Sequence, residues 1–448
     1  MGILKTITFI VCFLLVAIPS FAIEPGEINC AASNTWCAAS CTQADLQTAV
    51  NSALASGRTD VIVYAPPCDI AWTPGQKLII ATGLTKNLRL IGSGETTTKI
   101  KYFQLGIGTG GTGMYTNLIE WGHMTAYSDG VTLCSIQQTR MRAYPSQIGK
   151  ELYWHNLSVL DYKLASGSYT FHLEGWHGVV SNVTIRSPTT TSYYGFGLHG
   201  DGQYSNHKPD IGTRNALFFE GCKFYYTYHP ISLFCDAYAV FRYNEVHYAK
   251  AYVDIHGANY NACAPDYPGN VAPNNKHGGG GYEVYNNKFY NYQLAWLVSP
   301  RTGSAVIVTN NSVEVPGTET AFVCERYDTT SCTASVNCGT GVGQTCTRKY
   351  SINTSDGCLQ GPENHYIWGN TGVRELYQYN ESTCATMCTR VNVDYFNRAP
   401  TLVGDGFTWT AYQYPHPLVS GGSNPVSNPL PPPNPPPNAP KNLHIINP

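Results

Sequence analysis

A six-residue motif recurs through the middle of this 448-residue chain, and its fourth position is what most limits the fold. The motif is an apolar residue, two variable positions, a stacking position, one variable position and a second apolar residue. It reads Trp154-His155-Asn156-Leu157-Ser158-Val159, then Val180 to Ile185, Phe219-Glu220-Gly221-Cys222-Lys223-Phe224 and Phe241 to Val246. It continues as Val284-Tyr285-Asn286-Asn287-Lys288-Phe289 and Val308-Thr309-Asn310-Asn311-Ser312-Val313, with a shorter copy at Ile367 to Asn370. The fourth position is therefore Leu157, Val183, Cys222, Asn244, Asn287, Asn311 and Asn370, at spacings of 26, 39, 22, 43, 24 and 59 residues. Three spacings lie between 22 and 26, the length of one turn of a parallel β-coil, and the others require insertions between turns. Asn shares the column with Leu, Val and Cys, so the position faces inward, and a buried amide needs hydrogen-bond partners. Amides stacked ~4.8 Å apart supply them to one another. Cys222 sits in this buried column and is the candidate unpaired thiol.

Composition agrees with a β-coil. Only 12% of residues are charged, against roughly 25% in an ordinary soluble domain, while Tyr (32) and Gly (43) are abundant. Scarce Glu and Lys disfavour helices. The formal charge of −2 lacks the basic excess of a nucleic-acid binder.

Lys5, the apolar run Ile7 to Ile18, and small residues at Ser20 and Ala22 read as a signal peptide over residues 1–22, cleaved after Ala22. The run is short for a membrane span. Of 16 cysteines, Cys12 lies in this leader, and the odd remainder in an exported chain points to disulfides plus at least one free thiol. Cys324, Cys332, Cys338, Cys346, Cys358, Cys384 and Cys388 are dense enough to staple loops, with their connectivity left open.

The asparagine column resembles that of the right-handed parallel β-helix proteins of the pectate-lyase-like superfamily. Asp45 to Leu54 looks like that family's amphipathic capping helix, followed by a strand from Asp60 to Tyr64; Lys77 to Ala81 and Asn87 to Gly94 resemble its first rungs. The resemblance spans roughly residues 40–375 and concerns fold. It implies an all-β, right-handed parallel solenoid over residues 23–419, with an N-terminal capping helix and disulfide-stapled loops. Residues 420–448 turn to Pro and Asn and read as a linker and tail. Ala439 to Leu443 resembles the opening of a fibronectin type III strand. The chain is expected to be monomeric and secreted, periplasmic or at the cell surface.

A solenoid offers one long face, so the chemistry is sought among polar residues near strand ends upstream of each column position. These are His172 and Glu174, His199 and Asp201, Asp236, Asp254 and His256, and Arg301. Glu174, Asp236 and Arg301 precede their column residues by 9, 8 and 10 positions and are expected in one row. Asp254 and His256 lie two apart on a strand, hence on one face. His277 and the glycines that follow re-enter after an insertion, and Trp296 with Tyr193, Tyr194, Tyr225, Tyr226 and Tyr228 offers aromatic surface for sugars.

Two reactions fit such residues. The family resemblance implies calcium-assisted β-elimination of an acidic, uronate-containing polysaccharide; its residue roles are read from this sequence alone, a cation held by Asp236 and Asp254 and a proton taken by His256 or Arg301. Alternatively Asp236 and Asp254 serve as acid and base of a glycoside hydrolase, which needs carboxyl groups roughly 5 to 9.5 Å apart. A zinc site at Asp254, His256 and His277 is a third arrangement. A non-catalytic glycan-binding adhesin is the remaining class. His172, Glu174, His199, Asp201, His277 and Trp296 are the expected substrate contacts. Gly106 to Gly111 matches GxGxxG formally, but without a βαβ unit it is expected to be a loop.

Overall fold

In a computed structural model of the chain, the residues described are 23–80, 86–107, 114–115, 118–136, 141–143, 151–165, 168–188, 193–199, 211–234, 237–249, 251–255, 281–290, 296–300, 304–314, 320–324, 363–372, 377–378 and 395–419. Among them, eighteen strands join one parallel sheet and nine a second, and Leu78–Ile80 pairs in parallel with Leu105–Ile107. The chain is thus mostly β and built as a parallel solenoid. Glu151–Leu160 lies between Ile119–Tyr127 and His177–Arg186, with Leu157 opposite both Met124 and Val183. The column read from the sequence is therefore real, and Met124 extends it by one turn.

Each turn bends immediately before its column residue. His123, Asn156, Asn182, Tyr243, Asn286 and Asn310 all adopt left-handed backbone, with φ between 48° and 57°. Asn tolerates this region better than most residues, which accounts for the Asn-Asn doublets at Asn286-Asn287 and Asn310-Asn311. The second Asn of each doublet then turns inward. Asn244 Nδ2 donates to Asn287 Oδ1 at 3.1 Å, Asn287 Nδ2 to Asn311 Oδ1 at 2.9 Å, and Asn311 Nδ2 to Asn370 Oδ1 at 2.8 Å. Each Oδ1 also accepts a backbone N–H from the preceding turn, and each Nδ2 also donates to a backbone carbonyl, such as Phe241 O from Asn287 at 2.8 Å. The amides are fully used, as burial demands. Cys222 closes the column with its thiol directed to Val180 O, 3.3 Å away.

The helix runs Gln43–Ala55, two residues longer at its start than expected, because Thr42 caps it by accepting from Asp45 N. Its buried face is Leu46, Ala49, Val50 and Ala53, packed with Val61, Val63 and Leu78. Disulfides join Cys30 to Cys37 and Cys41 to Cys68. Cys134 and Cys222 are free and buried among the described residues, and the expected cysteine-rich staples from Cys332 to Cys388 lie outside them. Gly106 and Ile107 belong to a strand rather than to the loop expected from their GxGxxG match, because Leu105–Ile107 finds a parallel partner. No helix among the described residues is long and apolar enough to cross a membrane.

The large sheet is apolar on its outer side as well. Tyr153, Val179, Phe218 and Val240 form an outer row, covered by a C-terminal segment that includes Trp409, Tyr412 and Leu418. A sheet packed on both faces reads as continuous hydrophobic strands, which is how these appear in the sequence. Charge holds the segment in place. Arg242 donates to Glu220 at 2.7 and 2.9 Å and to the carbonyls of Tyr412 and Gln413 at 2.6 and 2.8 Å, while His416 N donates to Glu220 at 2.9 Å. Glu283 accepts from Gly212 N at 2.8 Å, Trp409 Nε1 at 2.7 Å and the Tyr238 hydroxyl. Burial raises the Glu283 carboxyl above its usual range despite these donors. Burial, then the positive charges of Arg242 and Arg214, pushes the His416 imidazole down to about 3.

Candidate functional site

Alternation along the nine-stranded sheet decides which residues face outward. Phe171, Leu173, Phe196, Leu198, Ile231, Leu233 and Val253 are in the core, so the residues between them lie on the outer side. The register aligns two outer rows. One runs His172, Gly197, Ser232, Asp254, Ser299; the other runs Arg142, Glu174, His199, Phe234. Glu174 aligns with His199 and Phe234, so on the strand Ile231–Phe234 its row falls at Phe234; Asp236 and Arg301, expected in that row, lie outside the described residues. Nine residues separate Glu174 from Val183, yet ten separate Phe234 from Asn244, so counting back from the column slips as the arc length changes.

Asp254 has a partner that the sequence pattern did not disclose. His229, just before the strand Ile231–Phe234, places Nε2 3.6 Å from Asp254 Oδ2, with both side chains buried. Removal from water strengthens the attraction within such a pair. Tyr194 stacks on the His229 ring at 5.0 Å and Tyr228 meets it edge-on at 4.4 Å. Tyr169 packs against Tyr194 at 4.9 Å and His172 at 5.4 Å. The Tyr169 ring also lies over Gly197, where any Cβ would come within 2.8 Å of its Cγ, so this row position admits only glycine. Tyr169, Tyr194 and Tyr228 remain half-buried and His172 is half-buried beside them. The result is a patch of aromatic edges at the surface with an Asp–His pair beneath it.

Asp254 and Glu174 both lie on the outer side of the sheet but are buried; Asp254 sits against His229, which Tyr194 and Tyr228 clamp. His199 and Trp296 lie on the strands Tyr194–His199 and Trp296–Pro300, the latter residue opposite Ala251 and Thr320. Asp236, His256, Arg301, Asp201 and His277 lie outside the described residues. Tyr225 and Tyr226 belong to a different surface. Tyr225, His247 and Tyr290 stack in series at 4.6 and 4.5 Å, and Tyr226 stacks on Tyr248 at 5.1 Å. The series Tyr225, His247 and Tyr290 forms a ladder between turns, while Tyr226 and Tyr248 remain 37% and 39% exposed.

A carboxylate against an imidazole nitrogen fixes the tautomer and raises the basicity of the ring, which suits proton abstraction. Among the described residues no group of three or more His, Cys, Asp or Glu side chains is arranged to hold a metal ion; Asp236, the other expected calcium ligand, lies outside them.

No family model and no curated protein sequence matches the chain. Among solved structures, the catalytic domain of a GH87 alpha-1,3-glucanase in complex with tetrasaccharides is similar with a TM-score of 0.36 and 9% identity, over 85% of this chain and 70% of that one. A likeness at that level bears no weight on function; the strand register and the asparagine column stand on their own.

Proposed function

We propose that this chain is an exported, right-handed β-helix of the pectate-lyase-like type that cleaves an acidic polysaccharide by β-elimination on the outer side of its nine-stranded sheet. The observation that carries this reading is the buried Asp254–His229 pair beneath the half-buried rings of Tyr169, Tyr194 and Tyr228. His229 is the base, reached when the half-buried Tyr194 and Tyr228 part around the bound sugar, and Asp254 positions it. The base takes the proton from the carbon beside the uronate carboxylate, a carbon–carbon double bond forms, and the glycosidic bond at the neighbouring carbon breaks with protonation of its oxygen. Arg301 would neutralise the substrate carboxylate. Glu174, His172, His199 and the tyrosines would line the sugar path.

Elimination is preferred to hydrolysis because the group beside Asp254 is an imidazole at 3.6 Å, suited to taking a proton. Glu174 stands three strand-to-strand steps from Asp254, or about 14 Å at ~4.8 Å each, beyond the roughly 5 to 9.5 Å that a hydrolase pair spans, while Asp236, the expected partner of Asp254 in hydrolysis, lies outside the described residues. A second reading, glycan binding without turnover, rests on the aromatic patch alone.

The test is mass spectrometry of fragments released from uronate-containing and neutral polysaccharides, with and without chelation. Elimination gives fragments one water lighter than hydrolytic ones, and both Asp254→Asn and His229→Gln abolish them while the proteins still fold. Fully hydrated fragments would replace this reading with hydrolysis. Retained glycan affinity without release, lost in Tyr228→Ala, would replace it with the binding role. Loss of release on chelation would place a cation in the site.

A further inference from the structure

A second buried cluster lies at the other end of the large sheet, where the chain enters the fold. The Glu120 side chain has no solvent exposure. Its Oε2 accepts from Arg89, and its Oε1 lies 2.9 Å from His155 Nε2. The same Oε1 accepts from the backbone nitrogen of Ile23 at 3.3 Å. The surroundings are built for close approach. Tyr153 stacks on His155 at 4.2 Å, and a Cβ on Gly122 would lie 2.7 Å from the His155 ring.

Glu120 is the buried acidic charge of this cluster. Glu120 and Asp60 both lean on Arg89, the latter at 3.2 Å, and the Glu24 carboxylate lies 3.6 Å from His123 Nε2. Burial pushes the His123 imidazole down to about 4, so at neutral pH it brings no charge. Asp60 and Glu24 keep 41% and 61% of their side chains in solvent, so the carboxylate that needs compensation is Glu120, which has Arg89 and His155 beside it and the Ile23 nitrogen on its remaining surface. A buried carboxylate is stable only with full compensation.

We propose that Ile23 is the mature N-terminus and that its α-ammonium is the second cation of the Glu120 pocket, so that processing locks the start of the chain into the fold. The proposal rests on the leader reading of residues 1–22. In the step itself, a leader peptidase adds water across the Ala22–Ile23 amide. The carboxyl group stays on Ala22, and the nitrogen of Ile23 is freed as an amine that takes a proton at neutral pH. That nitrogen is the atom that already meets Oε1, so no rearrangement is needed.

Three measurements test this. N-terminal sequencing of the exported protein should read Ile23 first; any other start overturns the proposal. Chains beginning at Ile23, or at one extra Gly before Ile23, are released from the same removable tag and melted at pH 7. The extra residue should lower Tm by about 2 °C or more, and should cost little once Glu120→Gln is introduced in both. An equal loss in the two backgrounds, or none, overturns it. Should Glu120→Gln fail to fold, acylation of the α-amine at pH 7 provides the readout. The Ile23 chain should react at least about tenfold slower folded than in urea, in excess of any slowing in the chain with the extra Gly, and equal protection of the two refutes the ion pair. Arg89, His155, His123, Asp60 and Glu24 are common to both chains and drop out of the comparison.

Discussion

Mild acid should loosen the C-terminal segment through one imidazole. The folded-state value of His416 is about 3, against 6.5 for the ordinary side chain, because the ring is buried under the segment and close to Arg242. Between pH 7.5 and pH 5 the unfolded chain takes up a proton on His416 and the folded chain does not. The unfolded state then binds more protons, so stability rises with pH in this window and falls on acidification. At pH 5 the folded ring is neutral, so the size of the loss is set by protonation of the unfolded chain and amounts to about 2 kcal/mol. His123, pushed down to about 4, loses stability in the same direction, whereas Glu283, raised by burial, gains it on acidification. Those groups remain in His416→Gln, so the variant isolates His416. The variant keeps the backbone donation from position 416 to Glu220, and any loss of the 3.3 Å contact from Leu418 N to the ring is a constant offset. Urea unfolding of both proteins at pH 7.5 and 5 gives the result directly. Wild type should lose about 2 kcal/mol more than the variant over this interval; equal losses would refute the assignment of acid sensitivity to this buried ring.

Two further outcomes follow from the column. Asn287→Ala removes an acceptor for Asn244 N and Nδ2 and a donor to Asn311 and Phe241 O, so it should destabilise the chain by about 2 to 4 kcal/mol in urea titrations, far more than Asn→Ala on the exposed Asn51. Cys222 is buried, and burial pushes its thiol up to about 12; a thiol-specific dye at pH 8 should label it only on unfolding, and labelling at the rate of an exposed thiol would contradict its place in the column.

The fold was legible because the column carries a local rule of its own. An amide inside a hydrophobic row makes sense only if the next turn offers another, and Asn244, Asn287, Asn311 and Asn370 obey that rule across gaps of 43, 24 and 59 residues. The site lacks such a rule. Asp254 stood out on its strand, but the partner that gives it meaning, His229, comes from the turn before the neighbouring strand and repeats nothing. Its only trace in the sequence is the aromatic doublet Tyr228-His229. Row membership is harder to count: Asp236 is expected in it, eight positions before Asn244, but the register brings Phe234, ten positions before Asn244, into the row of Glu174, because the arc between the second sheet and the column is not constant from turn to turn. Buried charges such as Glu120 and Arg242 were likewise indistinguishable from surface ones, since what covers them arrives from more than 90 residues away at Ile23 and from 170 residues away at Tyr412.

Because neighbouring turns recognise one another through the amide column, the length of chain between them is thermodynamically cheap. Lengthening an excursion from 22 to 59 residues raises the entropic cost of closing it by only about 0.9 kcal/mol, less than a single buried ladder amide is worth. A scaffold of this kind can acquire, trade or discard long insertions at its rim while its stack stays in register. Novelty is thereby confined to the loops, and the interior is left to keep the count.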